Sequence, residues 1–219
     1  LPSTRDEKPL TARVRGMHAF NRPVAHCGPG ERVALNLAGV ERSEIHRGDW
    51  IVGDALNHRS DRVSVMLSLL PDAKALKHWS SVHLHTGAAH TMAHVGLLEG
   101  ETLTPGESML AELALAVPLH LCHGDRIVLR DASARETIAG CEVLDAFPPT
   151  RAKRSVTRLA LLRSQQNNSD EQALRTVLQI ETLGTSLTRF AANRNIDAEM
   201  LPELLAPLDA VSLMTSEGW

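Results

Sequence analysis

Three arginines stand close together in a predicted strand and the turn that follows it, and they could bind phosphate groups. Arg126 and Arg130 flank a short apolar run, and Arg135 follows in a polar turn. A guanidinium group presents a planar fork of N–H donors that matches phosphate oxygens. The residues alone leave a second interpretation open, in which Asp131 and Glu136 neutralise two of these charges in a solvated turn.

The eleven histidines raise the possibility of a metal site. His83 and His85 alternate on a predicted strand, so both rings lie on one face, and His90 and His94 follow closely. However, no Asp or Glu stands at ligand spacing among them, and a metal site needs a third ligand and polar groups that orient the imidazoles. The pattern therefore favours partly buried or RNA-facing histidines, and a metal-dependent hydrolase is the third hypothesis.

No catalytic residue and no cofactor site is predicted. Cys122 and His123 bring a thiol next to an imidazole, but neighbours on a strand point to opposite faces. The sequence contains neither GxSxG nor the phosphate-binding motif GxxxxGK[ST]. The Gly28-x-Gly30 pair lacks the third glycine and the following helix of a dinucleotide site.

Composition limits how the chain could bind nucleic acid. The formal net charge of -3 excludes a uniformly basic coat, so any RNA contact must come from local clusters of positive charge. The chain has three Phe, three Trp and no Tyr, which argues against a platform that stacks single-stranded bases. Any RNA is therefore expected to be bound through its folded backbone.

The chain is expected to be a soluble, cytoplasmic protein. Its three scattered cysteines predict neither a disulfide framework nor structural zinc. No apolar run approaches the roughly 18 residues that span a bilayer, and residues 1–8 are polar and charged, unlike a signal peptide.

Short alternating segments with turn residues between them position the arginines and histidines on β-strands. A turn is predicted at residues 28–30, and the spacing suits small barrels whose closure removes strand edges. The predicted strands are residues 12–18, 32–37, 50–52, 62–67, 81–85, 109–117, 127–129 and 137–143.

Helical patterns begin after residues 147–149, which mark a predicted domain boundary. A basic stretch follows, made of Arg151, Lys153, Arg154 and Arg158. Three helices are then predicted: residues 173–180 capped by Ser169 or Asp170, a helix opened by Gly184 and Thr185, and residues 200–205 capped by Asp197. A strand at residues 210–214 would complete a winged helix.

The predicted fold is mainly β and then α. It consists of two small antiparallel β-barrels, the first incomplete, followed by a winged-helix domain. The corresponding domain boundaries are residues 1–59, 60–149 and 150–219.

Residues 126–140 resemble the closing strands of the third domain of elongation factor Tu-like translation GTPases, where an Arg-Asp/Glu turn precedes a Thr and a glycine-containing strand. Residues 13–19, 30–39 and 47–50 look like the second half of domain II of the selenocysteine-specific factor. Residues 82–99 fit the start of its domain III. The resemblance covers about residues 12–149, and the remainder resembles, with weaker motifs, the first winged-helix module of bacterial members.

The resemblance implies a factor that carries selenocysteinyl-tRNA to a ribosome paused at a UGA codon. It places Arg32 against the aminoacyl group. It also implies that the barrel residues Arg126, Arg130, Arg135, His83 and His85 face the acceptor and T-stem backbone of the tRNA.

The resemblance also implies that several family functions lie outside this chain. The GTPase domain has no counterpart in it, so GTP and Mg are expected to bind elsewhere and no enzymatic activity is expected from the chain alone. The last winged helices, which hold the mRNA hairpin in the family, are likewise without counterpart. A monomer that binds no membrane is expected.

A transcription regulator with a DNA-binding winged helix and a β-barrel sensor is the chief alternative. It would require a basic recognition helix. The third predicted helix instead carries Asp197, Glu199 and Glu203 and has no Lys or Arg, so DNA phosphates would be repelled from it.

Overall fold

The computed structural model describes residues 10–53, 58–166, 169–181, 184–208 and 210. The chain divides between Asp49 and Trp50 into two compact units. The first is a small β-sheet, and the second combines a closed barrel with four helices. The prediction of a mainly β chain followed by helices is confirmed.

The first unit is a three-stranded antiparallel sheet in the order β2-β1-β3. Its strands are β1 (Arg13–Ala19), β2 (Arg22–Val24) and β3 (Val33–Ala38). The tight turn between β1 and β2 holds Phe20 and Asn21 at positive φ, 50° and 60°, as a two-residue hairpin turn of the right twist requires.

The first unit should be the least stable part of the protein. Among its described residues Ala19 alone is buried, so unfolding it exposes little apolar surface. We expect amide hydrogen exchange in β3 to be faster than in the central barrel strands by orders of magnitude. If β3 were instead the best protected segment of the chain, this prediction would fail.

Six strands close into the barrel of the second unit, in the order β10-β11-β4-β9-β7-β6. Two short strands, β5 and β8, pair separately. The strands are β4 (Ser60–Leu69), β5 (Leu76–Lys77), β6 (Ser80–Thr86), β7 (Ala89–Leu97), β8 (Thr102–Leu103), β9 (Ser108–Leu119), β10 (Arg126–Arg130) and β11 (Thr137–Asp145).

Alternate residues of these strands fill the barrel. Val63, Val65 and Leu67 of β4 are fully buried, and Leu84 of β6 and Leu129 of β10 meet the same core. This is the period-two pattern that predicted the strands. The barrel places the intervening polar side chains on its outer surface.

The predicted strands differ from those of the structure in two ways. Residues 50–52 form no strand, and the Trp50 ring packs against His120 with the ring centroids 5.7 Å apart. Conversely, no strand is predicted at β2, β5, β8 or β7, and the last of these has a sequence rich in Ala and His. Its inward residues Thr91, Ala93 and Val95 are nevertheless buried.

Four helices follow the barrel. They are α1 (Val156–Ser164), α2 (Asp170–Ile180), α3 (Leu187–Arg194) and α4 (Leu201–Leu205), and a single 3-10 turn (Ala198–Met200) precedes α4. None of the described helices is long and apolar enough to cross a membrane.

The helix caps partly follow the predictions. Ser169 caps α2 and Asp197 caps the 3-10 turn before α4. The cap of α3 is Ser186 rather than Gly184 or Thr185, because its hydroxyl accepts a hydrogen bond from the Arg189 N–H. Helix α1 is not predicted. Except for the irregular residue 210, the predicted terminal strand lies outside the described residues.

The basic stretch after the barrel is an interface. Lys153 Nζ lies 2.5 Å from Glu112 Oε1, and Arg154 Nη2 donates to the Leu97 carbonyl at 2.7 Å. The Arg158 guanidinium lies 2.5 Å from Asp145 Oδ2. These contacts attach the helices to the barrel wall.

An apolar cluster and a bridging amide complete this junction. Leu162 of α1 is fully buried against Leu98, Leu110 and Leu144 of the barrel. Asn193 of α3 accepts a hydrogen bond from the Ala146 N–H at 2.8 Å and donates one to the Leu144 carbonyl at 3.2 Å. The barrel and the helices therefore pack as one unit.

Candidate nucleic-acid interface on the barrel

Strand β10 points alternate side chains outward and inward. Arg126 and Arg130 lie on the outer surface, whereas Ile127 and Leu129 are buried. In the pairing of β10 with β6, Arg130 stands opposite His83. His85 stands opposite Val128 in the same pairing.

The structure thus brings together four of the predicted site residues on neighbouring strands. With Arg135 from the following turn, we call these residues the arginine–histidine face: Arg126, Arg130, Arg135, His83 and His85.

The two histidines of this face differ in their surroundings. The His85 ring stacks on His90 of β7, with centroids 5.7 Å apart and ring planes 20° apart. Burial and then the positive charges of His90, Arg130 and His83 lower the pKa of His85 below its ordinary value. The neutral imidazole form of His85 is therefore favoured. Its Nε2 atom is buried and has no hydrogen-bond partner within the described part of the chain.

The turn after β10 is organised by Asp131. Its carboxylate accepts hydrogen bonds from the N–H groups of Glu136, Arg135 and Ser133 and from the Ser133 hydroxyl. These bonds, led by that of Glu136, hold the pKa of Asp131 well below its usual range. Asp131 forms no ion pair with an arginine within the described part of the chain, since its carboxylate accepts hydrogen bonds from backbone N–H groups and from the Ser133 hydroxyl.

Arg130 and Arg135 are linked through this turn. Arg130 Nη2 donates to the Arg135 carbonyl at 3.0 Å, which orients the Arg130 guanidinium along the turn. The Arg135 side chain is exposed and forms no ion pair with any described residue. Both guanidinium groups keep N–H donors for an external anion.

Arg126 pairs with a residue that was not predicted to belong to the site. Its Nη1 lies 3.1 Å from Glu142 Oε2 on β11, and the Arg126 side chain is 79% exposed. An ion pair this exposed contributes little stability, so Arg126 can exchange Glu142 for a phosphate at low cost. Glu142 and His90 are neighbours of the predicted site residues only through the pairing of the strands. The register of that pairing cannot be deduced from composition.

Arg32 lies in the other unit. It is exposed and immediately precedes β3. The five residues of the arginine–histidine face all belong to the barrel, so Arg32 is described separately from them.

Within the described ranges, the remaining histidines and cysteines form no recognisable metal or catalytic site. The described residues contain no group of three or more His, Cys, Asp or Glu side chains that could hold a metal ion. His120 Nε2 lies 3.8 Å from the Cys122 sulfur, whereas His123 Nδ1 lies 3.2 Å from the Leu144 carbonyl oxygen. Burial, aided by Asp125, raises the pKa of the Cys122 thiol to about 11, so it is not a thiolate nucleophile at neutral pH.

Comparison with known proteins identifies the relatives of this chain. Residues 60–150 match the family model described as "Selenocysteine-specific elongation factor, beta-barrel domain". The selenocysteine-specific elongation factor of Escherichia coli (strain K12) is 39% identical over 200 residues, which is 90% of this chain and 30% of that protein. The corresponding factor of Haemophilus influenzae is 31% identical over 201 residues, 91% of this chain and 32% of that protein.

A solved structure has the same fold. The crystal structure of a bacterial selenocysteine-specific elongation factor superposes with a TM-score of 0.66 at 21% identity, covering 92% of this chain and 31% of that chain. The chain therefore spans about 30% of the length of the proteins that it matches.

Proposed function

Because the chain is homologous to the selenocysteine-specific elongation factors over 90% of its length, we propose that it is the tRNA-binding portion of such a factor, which delivers selenocysteinyl-tRNA to the ribosome at UGA codons. The whole factor would act in the cytoplasm as a monomer. GTP and Mg, and the mRNA hairpin, would bind to parts of the factor outside this chain.

The proposed domains follow the family. Residues 1–59 would belong to β-barrel domain II, residues 60–149 would be domain III, and residues 150–219 would be the first winged helix. Helices α1–α4 supply the helical part of that last domain.

The observation that carries the proposal is the arginine–histidine face on a barrel whose relatives are selenocysteine-specific elongation factors. Guanidinium groups on the outside of a rigid sheet can contact the phosphates of a folded RNA without reading its sequence. The residues of the face come from two adjacent strands and one turn, so their spacing is fixed before the RNA arrives.

The alternative of a transcription regulator receives no support. The named relatives are elongation factors. The short helix α4 and the turn before it carry Asp197, Glu199 and Glu203, and this acidic surface would repel DNA phosphates.

The lowered pKa of His85 predicts how tRNA binding depends on pH. In the free protein the surroundings of His85 lower its pKa and favour the neutral imidazole, and a nearby phosphate would favour the imidazolium form and raise that pKa. Binding then takes up a proton, so affinity should increase as the pH falls. If the phosphate raises the pKa by about one unit, the gain is about tenfold.

The measurement is a set of tRNA titrations between pH 8 and pH 5.5. The His85→Gln variant should lose most of the pH dependence. The matched variant His26→Gln, which changes an exposed histidine of the first unit, should retain it. An unchanged pH profile in the His85→Gln variant would contradict a contact between His85 and phosphate.

Substitution of Arg32 tests whether this segment distinguishes selenocysteinyl-tRNA from seryl-tRNA. A selenol is more acidic than a serine hydroxyl and is largely anionic near neutral pH, so a fixed guanidinium favours it by charge. In a full-length factor that contains this segment, Arg32→Ala should therefore weaken the binding of selenocysteinyl-tRNA more than the binding of seryl-tRNA. The difference should be about 1.5 to 3 kcal/mol, the value of a hydrogen bond to a charged group.

Arg15→Ala is the control for this experiment, since Arg15 is also exposed in the first unit and forms no ion pair with a described residue. Equal losses for the two aminoacyl forms in the Arg32→Ala variant would show that Arg32 is a surface residue at the start of a strand. The proposed discrimination by charge would then be wrong.

A further inference from the structure

The turn that joins β10 to β11 is built around one carboxylate. It comprises residues 131–136, and the Asp131 N–H donates to the Glu136 carbonyl at 3.0 Å to close it. Asp131 Oδ1 accepts hydrogen bonds from the N–H groups of Arg135 and Glu136 at 2.7 and 2.8 Å. Asp131 Oδ2 accepts from the N–H and the hydroxyl of Ser133. Four donors of the turn thus converge on a single side chain.

The backbone of this turn needs such support. Ala134 has a φ of 54°, in the left-handed region that a residue with a Cβ atom enters only at an energetic cost. Its own N–H donates to the Asp131 carbonyl at 2.8 Å. The Asp131 carboxylate binds the residues on either side of it, Ser133 and Arg135. Without that acceptor, we expect the turn to relax into other conformations.

Two arginines of the arginine–histidine face depend on the conformation of this turn. The bond from the Arg135 N–H to Asp131 Oδ1 fixes the direction in which the Arg135 side chain leaves the turn. Arg130 is held one step further away, because its Nη2 donates to the Arg135 carbonyl at 3.0 Å. A change in the turn at Arg135 therefore alters the position of both guanidinium groups.

Asp131 itself is poorly suited to contact an RNA. An ionised carboxylate has about four acceptor sites, and the Asp131 carboxylate already accepts four hydrogen bonds within the turn. None remains for a ribose hydroxyl or a base. Its negative charge also opposes the approach of phosphates. A carboxylate in this place is therefore explained by what it does for its neighbours.

We propose that Asp131 is a positioning residue for tRNA binding, which holds Arg130 and Arg135 in place for the phosphates and does not touch the RNA. The inference rests on the proposed contact between tRNA and the arginine–histidine face. A turn that is ordered before binding loses little conformational entropy when the RNA arrives. This gain must exceed the repulsion of one carboxylate, so removal of the Asp131 acceptor should weaken binding although it removes a negative charge.

Two substitutions of Asp131 separate position from charge, because both remove the same negative charge. The amide oxygen in Asp131→Asn can still accept from the N–H groups of Arg135 and Glu136, whereas Asp131→Ala has no acceptor. Charge alone predicts an equal, small gain in affinity for both variants. Positioning predicts that Asp131→Ala loses at least about tenfold, the value of one charged hydrogen bond, and that Asp131→Asn does not.

The measurement is fluorescence anisotropy of a selenocysteine tRNA transcript with the 219-residue chain at several salt concentrations. In Asp131→Ala the slope of log K against log salt should become shallower by about 0.7 to 0.9, the value of one lost phosphate contact. Reduced stability alone would not change this slope. Glu136→Ala is the matched control, since it removes an exposed carboxylate from the same turn and keeps the backbone N–H that Asp131 binds. Its affinity should be unchanged or higher.

A double-mutant cycle tests whether Asp131 acts through the arginines. In the Arg130→Ala/Arg135→Ala background, Asp131→Ala should cause no further loss, because the side chains that it positions are absent. The same loss in both backgrounds, or an affinity of Asp131→Ala as high as that of Glu136→Ala, would overturn the inference. If thermal melting shows that Asp131→Ala is not folded, Asp131→Ser is measured by the same criteria, since it offers one hydroxyl in place of two oxygens.

The Arg130→Glu/Arg135→Glu variant, measured in parallel, separates failure of this inference from failure of the proposed function. A loss in that variant with none in Asp131→Ala overturns the role of Asp131 alone. A loss in Asp131→Ala alone would show that Asp131 does not act through the arginines and would also overturn it. No loss in either variant, or no binding by the unaltered chain, overturns both the tRNA contact of the face and the role of Asp131.

Discussion

Reversing the charges of Arg130 and Arg135 to glutamate should weaken tRNA binding by at least about 100-fold. Two hydrogen bonds to phosphate are lost, each worth about 1.5 to 3 kcal/mol when one partner is charged, and two carboxylates then repel the RNA. Contacts of this kind position the RNA without reading the aminoacyl group. The loss should therefore be alike for selenocysteinyl-tRNA and seryl-tRNA, unlike that expected from Arg32→Ala.

The measurement is an equilibrium titration with each tRNA at several salt concentrations, on the 219-residue chain and on a full-length factor into which it is grafted. Lys74→Glu/Arg175→Glu provides a matched charge change on other surfaces of the unit. Since Arg130 donates to the Arg135 carbonyl within the turn, thermal melting checks that the fold is kept. Unchanged affinity and salt slope would show that the face does not bind tRNA.

Replacing Arg158 with methionine should lower the free energy of unfolding of the second unit by about 3 to 5 kcal/mol. The Arg158 and Asp145 side chains are only 12% and 17% exposed, and Arg158 also donates to the buried Ser64 hydroxyl at 3.1 Å. Removal of the guanidinium leaves the partly buried Asp145 carboxylate with the Phe147 N–H as its remaining partner, and loss of one member is the costly way to break such an ion pair.

Urea unfolding followed by far-ultraviolet circular dichroism and tryptophan fluorescence would measure this loss. Asp145→Asn combined with Arg158→Met removes the unpaired charge and should recover part of the stability. Arg175→Met breaks an exposed pair with Glu171 one helical turn away and should cost no more than about 0.5 kcal/mol. A loss below about 1 kcal/mol for Arg158→Met would show that the junction tolerates an unpaired Asp145.

The barrel was predictable where its strands alternate. Buried Val63, Val65 and Leu67 alternate with more polar residues, and the same period marks β6 and β11. Strand β7 gave no such signal, because its inward positions include Ala93 and Thr91, which are small or polar. Closure of the barrel, and not local propensity, places these residues in a strand.

The sequence does not predict helix α1, because the helix packs against two different parts of the unit. Leu161 packs in the helical core and the adjacent Leu162 packs against the barrel. Apolar residues that face two directions do not form the single stripe by which an amphipathic helix is recognised. Helix α2, which buries one face only, has that stripe and was predicted.

The candidate site was partly predictable for a similar reason. Alternation along β10 puts Arg126 and Arg130 on one face, and this can be read from the sequence. Their neighbours across the sheet, Glu142 and His83, depend on strand register. The contacts of the basic stretch with the barrel could not be predicted, because its acidic partners, such as Glu112 and Glu101, are 41 and 53 residues distant in the sequence.

The junction between the barrel and α1 has a mechanical consequence. Lys153, Arg154 and Arg158 hold the first helix to the barrel wall at three successive points, and Leu162 fills the space beneath them. We therefore expect a rotation of the barrel to carry α1 with it, because ion pairs and apolar packing join the two. A movement of the barrel should therefore displace the helices at the other end of the unit.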